Sequence, residues 1–183
     1  MADSKVVCAV GCSICLAITL LIFLLISIGT VEPIEYGIVY NSLTKTVDSK
    51  KVYPGGWYLI GPINSFITFP ATYVNLDFAD FAGATNRPLV VKDSDGQEIR
   101  LSFSIQYELQ QDMVGELYLK LQKKYETTFF TFIDSVVRKV VGEFDTTMFW
   151  SDREAAGDKL KKAIEERLKS LYTDVKTLQI LNV

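Results

Sequence analysis

Few residues in this chain have chemistry to offer. Its 183 residues include no histidine. That removes imidazole acid–base catalysis and histidine metal ligation. The three cysteines are Cys8, Cys12 and Cys15, and spacings of four and three place them on one face of a helix. Two readings stand for that face. The cysteines are small apolar helix residues, or they are lipidation sites, with Cys8 nearest the polar end the first candidate for S-palmitoylation. The candidate carboxylates are Asp93, Asp95, Glu98 and Glu108. Asp93 and Asp95 sit in the run Lys92-Asp93-Ser94-Asp95-Gly96, where acidic residues serve turn geometry and glycine supplies a positive φ. The run lacks the further oxygen ligands of a calcium loop. No phosphate-binding glycine loop, nucleophile elbow or zinc spacing occurs. These residue types argue against an enzyme and predict no catalytic residue, no metal site and no cofactor.

The element that positions everything else is the stretch from Val6 to Gly29. It holds 24 residues with no charged residue, Asn, Gln or His, and fourteen of them are Leu, Ile, Val or Phe. A helix of that length rises roughly 36 Å at about 1.5 Å per residue. The hydrocarbon core is about 30 Å thick, so residues 6–29 read as a transmembrane helix after a short tail, residues 1–5. A cleaved signal peptide is the rival, because Ser27-Ile28-Gly29 has small-x-small character. Against it, Asp3 stands beside the single Lys5, and the apolar run is long for a leader. Lys5 precedes the helix while Glu32 and Glu35 follow it, which favours a single-pass protein with its N-terminus in the cytosol. Palmitate on Cys8 would fit the same orientation.

The net charge is −3, which argues against nucleic acid as a partner. Beyond the helix, the chain reads as short strands, then helices, then a strand. Ile34 to Tyr40 and Trp57 to Ile60 are strands, and Asn41 to Lys51 reads as a polar turn. Pro54-Gly55-Gly56 and Gly61-Pro62 are breakers. Phe66 to Phe69 and Thr72 to Leu76 follow as strands. From Ile99 to Gln110 the alternation is strict: Ile99, Leu101, Phe103, Ile105, Tyr107 and Leu109 lie on one face of a half-buried antiparallel strand. The period then changes. Met113 to Leu121 reads as a short helix. Tyr125, Phe129, Phe132, Ile133, Val136, Val137, Val140 and Val141 form one apolar helical stripe. Ser151-Asp152-Arg153-Glu154 reads as a capping box with Ser151 at the cap. Leu160, Ile164, Leu168 and Leu171 line the helix it opens, and Val175 to Val183 returns to strand. That order is α+β rather than a βαβ repeat.

Four pieces in this order resemble the SPFH, or band 7, domain of stomatins, prohibitins, flotillins and the bacterial HflK and HflC proteins. Glu35-Tyr36-Gly37-Ile38-Val39 is similar to the family's first strand. Pro54 to Pro62 is similar to its proline-glycine turn and hydrophobic run. Lys92 to Gly96 with the alternating strand is similar to its aspartate-glycine hairpin, and Ser151 to Glu154 to the start of its last globular helix. The resemblance implies an N-terminal transmembrane helix followed by a β-rich, membrane-proximal subdomain at 30–87 and an α+β subdomain at 88–183. It also implies a charged coiled-coil extension after residue 183.

The function this resemblance implies is a non-enzymatic membrane scaffold that oligomerises laterally into a ring or cage and organises a microdomain. The alternative is a membrane-tethered regulatory subunit of a membrane protease or channel. The partners implied are the lipid bilayer, further copies or a paralogue, and such a protease or channel. Two surfaces are candidates within it. Tyr53, Trp57, Tyr58, Phe66 and Phe69 are an aromatic cluster that either packs short strands or meets headgroups. Arg153, Lys162, Glu165, Glu166 and Lys169 give the last helix a mixed-charge exterior suited to a neighbouring copy, or simply to water.

Overall fold

The structure, a computed structural model, describes residues 2–143 and 151–182, and within the first helix the side chains from Ile14 onward. The chain divides into two compact units, Met1–Phe69 and Pro70–Val183. The sequence places this division at residue 87, but a strand upstream of that point pairs with the centre of the second unit.

In the first unit, α1 (Ala2–Ile26) leads into β1 (Ile28–Val31). The apolar stretch is therefore not helical to Gly29. The helix ends at Ile26, where the Ser27 hydroxyl donates to the Phe23 carbonyl at 2.7 Å. The Ser27 carbonyl then accepts the amides of Ile60 and Gly61 at 3.0 and 3.1 Å, which turns the chain into a strand. Among the described residues no helix is long and apolar enough to cross a membrane. The described side chains of α1 run from Ile14 to Ile26, thirteen residues, or about 20 Å.

β1 pairs antiparallel with β4 (Gly56–Leu59). A second sheet orders β3 (Thr46–Tyr53), β2 (Glu35–Asn41) and β5 (Asn64–Pro70). The polar run at 46–51, expected as a turn, lies within strand because β2 pairs its two ends: Val39 pairs Asp48 and Asn41 pairs Thr46, and Ile38 pairs Val52 beyond it. A register shift between Ile38 and Val39 leaves residues 49–51 bulged without partners in register. Two glycines let the Phe66 ring settle close to the strands. A methyl group on Gly37 would lie 2.9 Å from Phe66 Cδ1, and one on Gly29 would lie 2.8 Å from its Cε2.

The second unit is built on β8 (Glu98–Leu109). β6 (Val74–Phe78) and β9 (Thr173–Asn182) both pair with residues 103–107 of β8, so they occupy its two edges, while β7 (Leu89–Lys92) pairs with residues 98–101. All six apolar residues of the alternating face are buried. The helices cover that face: α2 (Val114–Leu121), α3 (Tyr125–Val141) and α4 (Arg153–Lys169). Phe78 stacks on Phe103 with centroids 4.5 Å apart and on Phe130 at 5.5 Å, and Phe129 meets Tyr107 edge-on at 5.5 Å. The stripe on α3 buries Tyr125, Phe129, Ile133, Val137 and Val141, with Phe132, Val136 and Val140 only partly covered. Leu160, Ile164 and Leu168 of α4 are buried beside them. The cap of α4 differs from the expected box. Asp152, not Ser151, is the N-cap, and its carboxylate accepts the Ala155 amide at 3.1 Å. An aspartate one residue closer to the helix reaches the free N–H better than the serine before it.

Candidate functional site

None of the carboxylates singled out by type forms a reactive pair. Asp93 is buried, and its Oδ1 accepts the amides of Asp95 and Gln97 at 3.0 and 2.7 Å. It closes the hairpin between β7 and β8. Asp95 and Glu98 are exposed, and Glu108 pairs with Lys176 at 3.1 Å. Among the described residues no group of three acidic, Cys or His side chains is placed to hold a metal ion. Cys15 is exposed on α1. Cys8 and Cys12 lie outside the described side chains.

The aromatic residues of the first unit divide by strand alternation. Tyr53, Tyr58 and Phe66 form a mutual edge-to-face cluster, with centroids 4.9 Å apart for Tyr53–Tyr58, 5.3 Å for Tyr53–Phe66 and 5.8 Å for Tyr58–Phe66. The Tyr58 hydroxyl donates to the Pro54 carbonyl at 2.9 Å, and Lys51 Nζ lies 4.7 Å from the Tyr53 ring centroid. Phe69 is buried. Trp57 points the opposite way from Tyr58 and is 80% exposed.

Trp57 is not alone on its face. Leu59, two residues on, shares that face and is 71% exposed. In the antiparallel register Ile28 lies opposite Leu59 and Thr30 opposite Trp57, so all four stand on one side of the small sheet. Ile28 is itself 41% exposed. The other side carries Gly29, Val31 and Tyr58 and faces the Phe66 cluster. The outward face is thus a patch of Ile, Trp and Leu beginning two residues beyond the end of α1. From Ile14 to Ile26, the large apolar side chains of α1 are also exposed. Exposed apolar surface of this extent marks a contact with lipid or protein. Leu59 and Ile28 were not singled out from the sequence, because Ile28 reads as the last turn of the apolar helix. The available signal is the β-branched run Thr30-Val31 directly after Gly29.

Of the mixed-charge residues on α4, Arg153, Lys162, Glu166 and Lys169 are exposed and Glu165 is half-buried. Arg153 is engaged: its Nη2 donates to the Ile180 carbonyl at 2.8 Å. A model of the SPFH domain / Band 7 family matches residues 30–183. A search of the curated proteins finds no match.

Proposed function

The chain belongs to the SPFH domain / Band 7 family, and on that premise we propose that it is a non-enzymatic membrane scaffold. In this reading α1 crosses the bilayer once. The first unit rests on the headgroups through Ile28, Trp57 and Leu59, and copies associate laterally, alone or with a paralogue, into a ring or cage that organises the surrounding membrane. Lys5 before the helix and Glu32 and Glu35 after it favour a cytosolic N-terminus, where palmitate on Cys8, Cys12 or Cys15 would add a second hold on the bilayer. A membrane protease or channel is the class of client the family resemblance suggests.

The observation that carries the reading is the run of apolar side chains exposed along α1 and taken up again by the β1–β4 face. Trp at an interface puts an amphipathic ring at headgroup depth. Ser27 to Gly29 is built into the first unit by backbone hydrogen bonds and strand pairing, which favours an anchor over a cleaved leader.

The test uses the full chain in phospholipid vesicles with Trp150→Phe, leaving Trp57 the single tryptophan of the two present. Lipids brominated near the headgroup should quench Trp57 fluorescence, and iodide in the buffer should not reach it. Full iodide quenching without bromine quenching would overturn the membrane contact.

A further inference from the structure

The outward face of β8 carries a ladder of partnered polar groups. The Ser104 hydroxyl donates to Asp77, and Gln106 donates to Asn75 at 3.1 Å. Glu108 pairs with Lys176, and Gln110 donates to Asp174 at 2.9 Å. Arg100, on the same face near the start of the strand between Glu98 and Ser102, lies outside this ladder. Its direct cross-strand neighbour is Val90, an exposed apolar residue. Arg100 and Arg87 line one groove of about 350 Å³ together with Asp80, Pro88 and Val90. Neither guanidinium is paired with a carboxylate among the described residues. Two unpartnered arginines at one concavity raise the local positive potential and present planar donor forks suited to carboxylates.

A surface of the reciprocal pattern lies on the opposite face of the same unit. There α4 and β9 border a groove of about 360 Å³ lined by Arg153, Glu154, Gly157, Asp158, Leu178 and Ile180, among others. Glu154 and Asp158 are one helical turn apart and exposed. The first groove offers two cations and one anion around exposed Val90. The second offers two anions and one cation around Leu178 and Ile180. The first opens on the outer side of the sheet, and the second on the helix layer that covers its inner side.

We propose that the Arg87–Arg100 groove of one copy receives the Glu154–Asp158 edge of α4 from a second copy. The pairing rests on the lateral assembly proposed above and names its contact. Arg87 and Arg100 meet Glu154 and Asp158, while Asp80 meets Arg153. Because the two surfaces differ and lie on opposite faces of the unit, the contact is head-to-tail. Each copy added leaves one groove and one acidic edge free, and such a contact closes into a ring or extends without limit. The matched charges fix the register of approach.

The test uses the full chain in detergent or vesicles, with particle mass as the readout and vesicle flotation measured separately. Arg87→Glu with Arg100→Glu should raise the concentration at which particles dissociate by about tenfold or more, and Glu154→Arg with Asp158→Arg should do the same. A chain carrying all four reversals should assemble again, and raised salt should dissociate the native particle. With Cys8, Cys12 and Cys15 replaced by serine, Arg100→Cys and Asp158→Cys chains should form a disulfide only when mixed. Unchanged particle mass in both double reversals, a native chain that stays monomeric, or an Arg100→Cys chain that cross-links to itself would overturn the contact. Flotation is indifferent to these changes, so a failure of membrane attachment is read independently.

Discussion

Replacing Gly37 with alanine tests whether the first unit is packed as described. The new methyl group would stand 2.6 Å from Val31 Cγ2 and 2.9 Å from Phe66 Cδ1, both well inside van der Waals contact. Val31 is buried, and Phe66 is held by Tyr53 and Tyr58 on its other sides. Neither neighbour can withdraw without disturbing a packed ring. Overpacking of this kind costs about 1–3 kcal/mol. Alanine restricts the unfolded chain more than glycine, which offsets about 0.4–1 kcal/mol. A net loss of about 1–2 kcal/mol corresponds to roughly 5- to 30-fold. Amide hydrogen exchange by mass spectrometry on the full chain should therefore quicken by that factor across Glu35–Asn41 and Asn64–Pro70. β8, in the other unit, serves as the unchanged control. Trimming the ring with Phe66→Leu should recover part of the protection lost in Gly37→Ala, a coupling of about 0.5 kcal/mol or more. Equal or slower exchange in the single variant would refute this packing of β1, β2 and β5 around Phe66.

Asp152→Ala should destabilise α4 by about 1 kcal/mol through loss of the bond to the Ala155 amide, whereas Ser151→Ala should leave amide exchange in that helix unchanged; equal effects would favour the serine cap. The second unit should lose stability in alkali. Burial, the largest cause, pushes the Tyr107 and Tyr125 hydroxyls well above their ordinary range, and the charges of Tyr125 and Glu126 push Tyr107, and Glu126 pushes Tyr125, further the same way. A raised folded pKa means that stability is complete below the unfolded value near 10 and falls as pH rises above it. Each phenol should then take away about 1.4 kcal/mol per pH unit. Denaturant titrations at pH 9 and pH 11 should show a smaller loss for Tyr125→Phe than for the native chain, and identical losses would contradict the burial.

Where one physical signal dominated, the sequence was legible. The strict alternation of β8 decided its buried face without help from any other segment, and the apolar stripe of α3 decided its own length, Tyr125–Val141. Strand β3 was illegible because pairing of its ends with β2, not its residues, makes it a strand: Asp48, Ser49, Lys50 and Lys51 have no strand preference, and residues 49–51 bulge between the paired Asp48 and Val52. The end of α1 was illegible for the opposite reason. Ile28 and Gly29 suit an apolar helix, and only the partner strand Gly56–Leu59 reveals that they have left it. The aromatic surface was half legible. Composition marked Trp57 and Tyr58 together, but neighbouring residues of a strand point opposite ways, so one joins the Phe66 cluster and the other faces out.

The pairing of β8 with β9 also sets an order of events. Ser102 is registered with Asn182, and Leu109 with Thr173, so the central strand waits for a segment made some 64 to 80 residues later. Local hairpins such as β7–β8 can close as soon as they are synthesised, but the second edge of β8 cannot. Until Thr173–Asn182 arrives, that edge is an unpaired template beside Phe103, Ile105 and Tyr107, open to the wrong partner. Closure over so long a stretch is slow compared with helix formation. A hazard of misassembly therefore falls in the interval before Thr173–Asn182 is laid down.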